Sequence, residues 1–149
     1  MLKKYSIYFK IANYLILIHA LGHFYGHLTT FVNYGSASSE LKALFSSMQQ
    51  TQTDGGNGIW DLFIMFSISY TIFQVIISVI NLVIIYSPEI GLKAMKRIVL
   101  ANLLLWISSF TLFYQINVKI TWISNALFVF FFMISFILIS TKATKGAHT

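Results

Sequence analysis

The sequence predicts an all-α polytopic membrane protein, a four-transmembrane-helix bundle forming a single membrane domain over residues 1–149. Three observations predict it. Hydrophobic residues make up 57% of the chain and charged residues 9%, with a mean hydropathy of +0.76, whereas an ordinary soluble domain carries about 25% charged residues. Four apolar stretches, at about 11–34, 59–86, 98–117 and 121–140, hold one charged residue between them, Asp61. Each meets the roughly 20 helical residues that cross a hydrocarbon core about 30 Å thick. The remaining charges sit in short runs between the stretches, which is the pattern of a membrane protein and not of a nucleic-acid binder, despite a net charge of +6. A membrane barrel would instead show alternating segments of about ten residues. Cysteine is absent, which excludes disulfides, thiolate metal sites and cysteine nucleophiles.

Span one, about 11–34, follows the basic residues Lys3, Lys4 and Lys10. A cleaved signal peptide is the competing reading of this end, but the apolar run is longer than an h-region of about 7–15 residues and is interrupted by three histidines. The connection at 35–58 is the longest. Leu41, Leu44, Phe45 and Met48 recur at helical spacing there, so residues 40–48 predict a short amphipathic helix. Residues 53–58, Thr-Asp-Gly-Gly-Asn-Gly, then read as a turn before Trp60, an interfacial anchor. Pro88 helps end span two. Lys93, Lys96 and Arg97 join spans two and three, and Lys142 and Lys145 follow span four, while only Lys42 and Lys119 fall on the opposite side. This bias predicts both termini in the cytoplasm and the 35–58 connection outside, and the abundance of Ile, Phe, Lys and Asn points to a bacterial cytoplasmic (inner) membrane.

Polar residues inside the spans are few and patterned. His19, His23 and His27 follow one another at steps of four. At about 100° per residue they fall within an arc of about 80°, with Thr30 and Tyr34 inside it and Asn13, Gly22, Gly26 and Asn33 at its edges. Leu17, Ile18, Leu21, Phe24, Leu28 and Val32 lie opposite, so the histidine face is expected to turn inward and the apolar face toward lipid. Span two carries a matching stripe of Ser67, Tyr70, Thr71, Gln74, Ser78 and Asn81. The two polar faces are expected to meet, because an unpaired amide or imidazole in hydrocarbon costs several kcal/mol, about 2–7 by transfer measurements. Asn102 with Ser109, and Asn125 with Ser135, add weaker polar contributions from spans three and four. The Gly22 and Gly26 pair permits a close helix approach, within the chain or in a homodimer.

Several chemistries fit such a face. Histidines four apart can share a metal ion, but His19 and His27 are about 12 Å apart along the axis. The one metal set that the sequence offers is therefore His23, His27 and Asp61, opening outward. Haem is a second option, with Met65, Met133 or a second subunit supplying the other axial ligand. Proton relay along His19, His23 and His27 with Asp61, Tyr70, Gln74 and Asn81 is a third. A His27–Asp61 pair that merely pins spans one and two together is the structural counterpart of all three. No Gly-x-Ser-x-Gly elbow is present, so hydrolytic chemistry has no support.

Gly22-His23 and Gly26-His27, an outer helix ending near Met48, and Trp60-Asp61-Leu62-Phe63 at the start of span two occur in that order over about residues 15–140. In this the chain resembles a group of small bacterial four-span membrane proteins and is distantly similar to DoxX-like membrane proteins. The resemblance implies a four-helix bundle with an outward His and Asp locus; the thiol role associated with some DoxX-like proteins does not transfer to a chain without cysteine. Two functions follow as expectations. One is binding of a small ligand, metal or quinone at the His/Asp site between spans one and two. The other is a structural or assembly subunit of a membrane complex, whose polar stripes serve helix packing and whose Gly pair meets a partner.

Overall fold

The computed structural model describes residues 4–32, 39–51, 58–87, 89–115 and 119–145. They form five helices: α1 (Lys4–Val32), α2 (Ser39–Gln50), α3 (Ile59–Tyr86), α4 (Leu92–Gln115) and α5 (Lys119–Lys145). The fold is all-α. Four of the helices are long and apolar enough to cross a membrane, over Tyr5–Gly26, Ile64–Tyr86, Leu92–Gln115 and Thr121–Lys142, and the protein is a multi-pass membrane protein.

Three crossings differ by five residues or more from their sequence-based limits; the one on α3 starts at Ile64 rather than at 59. The first lies about six residues nearer the N-terminus than 11–34, because Lys10 does not stop the helix. Its ammonium sits 3.8 Å from the centroid of the Tyr86 ring, so its stem crosses apolar surface while its charge rests on an aromatic face. The third begins at Leu92 and takes Lys93, Lys96 and Arg97 into its first turns; Lys96 reaches to 5.5 Å from the Phe136 ring centroid.

The chain divides into two compact units, Met1–Leu17 with Ile77–Thr149, and Ile18–Ile76. The first is a four-helix bundle of the start of α1, the end of α3, and all of α4 and α5. Its core is Tyr5, Phe9, Ala12 and Ile16 from α1, Met95, Val99, Leu103 and Trp106 from α4, and Phe128, Phe132 and Ile139 from α5. These recur at steps of three, four or seven residues, and therefore share one face of each helix. The aromatic rings set the register: Phe9 meets Phe132 edge-on at 5.5 Å, and Trp106 meets Phe128 edge-on at 5.1 Å. Ser135 donates to the Tyr5 carbonyl at 3.0 Å, tying α5 to α1. The opposite faces present Leu100, Leu104, Ile107, Leu112, Ile123, Leu127, Phe130 and Ile137 outward. In lipid such residues gain nothing by leaving the surface, so close packing and hydrogen bonds hold the bundle together.

α3 ends where the Ser87 amide and hydroxyl both turn back to the Val83 carbonyl, at 3.1 and 2.9 Å. Pro88 lies outside the described residues. The second unit contains the rest of α1, α2 and the start of α3. α2 extends the expected 40–48 helix by a residue or two at each end, with Glu40 in its first turn, where a negative charge complements the helix dipole, and Thr51 closing its last turn onto the Ser47 carbonyl. The turn at 53–57 and the side chain of Trp60 lie outside the described residues.

Candidate functional site

The histidine face of α1 and the polar stripe of α3 meet in the second unit. His19 Nδ1 is 3.2 Å from Gln74 Oε1, and His23 Nδ1 is 2.7 Å from Thr71 Oγ1. His23 Nε2 lies 3.4 Å from Ser67 Oγ. The partners descend α3 as the histidines ascend α1, as antiparallel neighbours must. Residue spacing put these groups on two faces; the structure supplies the pairing.

Thr71 Oγ1 is also 3.2 Å from the Ser67 carbonyl oxygen, a second acceptor for its single hydroxyl hydrogen, so the donor in the His23–Thr71 bond is set by the His23 tautomer. Gln74 Oε1 only accepts, so His19 Nδ1 donates to it. Both rings are half-buried and stacked, with centroids 6.2 Å apart at 23°. Tyr70 packs edge-on against His23 at 5.9 Å. Gln74 is completely buried; one end of its amide holds His19, and the other, Nε2, has no hydrogen-bond partner among the described residues.

The side chains of His27 and Asp61 lie outside the described residues, and with them the expected His27–Asp61 pair and the His23, His27 and Asp61 metal set. Among the described residues no three His, Asp or Glu side chains converge. The two methionines considered as haem ligands, Met65 and Met133, face outward, at 52% and 44% exposure. A residue on the lipid-facing side of its helix cannot close a coordination sphere inside the fold.

Gly22 and Gly26 are also exposed, and a Cβ built on either meets nothing within 4 Å among the described residues. Among the described residues no close approach of a neighbouring helix is seen there. The reason is rotational: with His19 and His23 turned onto α3, the edge of α1 that carries the glycines is left facing out.

Asn81, assigned by spacing to the same stripe, belongs to a different site in the first unit. It joins three helices. Its Nδ2 donates to Asn13 Oδ1 at 2.8 Å and to Asn102 Oδ1 at 2.7 Å, and its Oδ1 accepts from Asn102 Nδ2 at 3.2 Å. The outer members anchor on their own helices, Asn13 to the Phe9 carbonyl at 2.8 Å and Asn102 to the Ile98 carbonyl at 2.9 Å. All three are buried, and every amide hydrogen of Asn81 and Asn102 is used. Asn13 is the member that sequence reasoning missed as a partner. The signal for it was one asparagine in each of three spans, at similar depth from the same membrane side.

Compared with known protein families, curated proteins and solved structures, the chain finds no match in any of the three.

Proposed function

We propose that the protein binds a small, largely apolar molecule with a hydrogen-bonding head, of which a quinone is the representative class, at His19, His23, Thr71 and Gln74. The observation that carries this reading is Gln74: a fully buried amide that orients His19 with one end and offers an unpartnered donor with the other. An unpaired buried donor is costly, by about 1–3 kcal/mol, and a ligand carbonyl relieves that cost. Half-buried aromatic rings beside it suit a flat apolar body. Metal binding through His23, His27 and Asp61 remains the second form of the same proposal. The order of the Gly-His pairs and Trp60-Asp61-Leu62-Phe63 supports a distant DoxX-like relationship.

The test is titration of the purified protein in nanodiscs with a short-chain quinone analogue, followed by tryptophan fluorescence, with a parallel zinc titration. Saturable quinone binding weakened about fivefold to tenfold by Gln74→Leu is expected, the value of one hydrogen bond of about 1–1.4 kcal/mol. Binding indifferent to Gln74→Leu and His19→Phe overturns the assignment.

One observation favours the alternative, an assembly subunit: both ring nitrogens of His23 are already engaged by α3. In that reading the exposed Gly22 and Gly26 meet a partner helix or a second copy. It predicts no saturable binding of either ligand and a complex that survives mild detergent.

We further propose a bacterial cytoplasmic membrane location with both termini inside, supported by the eight basic residues Lys3, Lys4, Lys10, Lys93, Lys96, Arg97, Lys142 and Lys145 on one side against Lys42 and Lys119 on the other. The chain lacks cysteine, so single substitutions report cleanly. In intact cells a membrane-impermeant maleimide is expected to label Lys42→Cys and to leave Lys93→Cys unlabelled until the membrane is opened. The reverse pattern inverts the topology.

A further inference from the structure

One turn from the asparagine layer, the first unit buries three polar side chains with atoms that no group among the described residues satisfies. The level of each follows from the register. Phe9 packs on Phe132, so on antiparallel α1 and α5 Asn13 stands level with Phe128; Asn13 is bonded to Asn81, and Asn81 to Asn102. Moving one turn away from the connection at residues 87–91 leads to Ile16 on α1, Ser78 on α3, Trp106 on α4 and Asn125 on α5, each displaced by about 4.5–6 Å along the axis. All four are fully buried, at 0 or 1% exposure. Ser78 Oγ, Trp106 Nε1 and both amide atoms of Asn125 have no hydrogen-bond partner among the described residues.

Three helices thus aim a donor, an acceptor–donor and an amide into one level of an apolar bundle. A single orphan of this kind is a cost that a membrane helix sheds readily by rotating toward its own backbone, as Ser108 and Thr111 do on α4. Four orphan atoms on three helices at one depth indicate a shared partner. Their inventory defines its chemistry: Trp106 Nε1–H only donates, Asn125 Oδ1 only accepts, and Ser78 Oγ and the Asn125 amide nitrogen complete a set that needs both a donor and an acceptor in return. We propose that Ser78, Trp106 and Asn125 form a buried hydration site, holding water that accepts from the Trp106 indole and donates to Asn125 Oδ1. Water has the required two-way hydrogen bonding and the small size, and two to four polar partners are what buried water takes. The site is separate from the histidine face and does not depend on the function proposed above.

Nuclear magnetic resonance of the full chain in detergent tests this directly. With Trp60→Phe and Trp122→Phe isolating the Trp106 indole proton, a cross-peak to long-lived water is expected. Asn125→Leu, which removes two of the four orphan atoms, should abolish it, and Ser78→Ala should at least halve its intensity. A Trp106 indole proton that shows cross-peaks to Asn125 or Ser78 protons and none to water overturns the proposal, as does a water cross-peak that persists unchanged in both variants. If Asn125→Leu fails to fold, the Ser78→Ala arm decides alone.

Discussion

Asn81→Leu is expected to lower the unfolding free energy by about 2–4 kcal/mol, measured by reversible denaturation in mixed micelles with helicity as the signal. Asn81 is the only residue bonded to both other members of the asparagine layer. Its loss strands Asn13 Oδ1, Asn102 Oδ1 and one Asn102 amide hydrogen in an apolar interior, and an unsatisfied buried group costs about 1–3 kcal/mol. The backbone bonds of Asn13 to Phe9 and Asn102 to Ile98 are untouched, which keeps the total below the sum of three full penalties. The sign of the second substitution is diagnostic. Asn81→Leu with Asn102→Leu should recover part of the loss, since removing both partners of a bond can approach neutrality. A single variant within about 0.5 kcal/mol of the parent, the range of an ordinary surface change, would show that the three amides contribute no net stability.

Trp106→Ala is expected to be the most damaging single truncation, at about 3–5 kcal/mol by the same measurement. Trp106 is the largest fully buried side chain among the described residues, and it carries a ring contact with Phe128 that joins α4 to α5. Removing it opens a cavity between the two helices, and in lipid the hydrophobic effect does not press them back together. Trp106→Phe, which keeps an aromatic ring facing Phe128, should retain most of the stability. An alanine variant that loses less than about 1 kcal/mol would mean that the surrounding helices collapse into the space, the limit of a fully relaxing site.

Much of this was legible from residue order because membrane helices announce themselves by length and by the scarcity of charge. α3 matched its expected limits of 59–86. The inward histidine face and the outward Ile18, Leu21 and Phe24 also followed from 100° per residue. What periodicity cannot supply is register and rotation between helices. It assigned Ser67 to Asn81 to one stripe, whereas the structure uses the Ser67, Thr71 and Gln74 end for histidine and the Asn81 end for asparagine. Asn13 lay at the margin of the histidine arc, yet it is fully buried because α3 approaches that margin in the first unit. The glycines lay at the other margin, where a built Cβ meets no described atom within 4 Å. Asn125 was read as a minor contributor; that its amide is buried without a partner among the described residues is a fact of three-dimensional packing that spacing does not encode.

The asparagine layer has a bearing on how the protein behaves in an energised cell. A membrane potential works on charge, by about 2.3 kcal/mol for each elementary charge moved across 100 mV. Asn13, Asn81 and Asn102 hold three crossings together through amides that ionise at no physiological pH. The voltage across the membrane therefore has no lever on this clasp, and its grip is the same in a respiring cell as in a depolarised one.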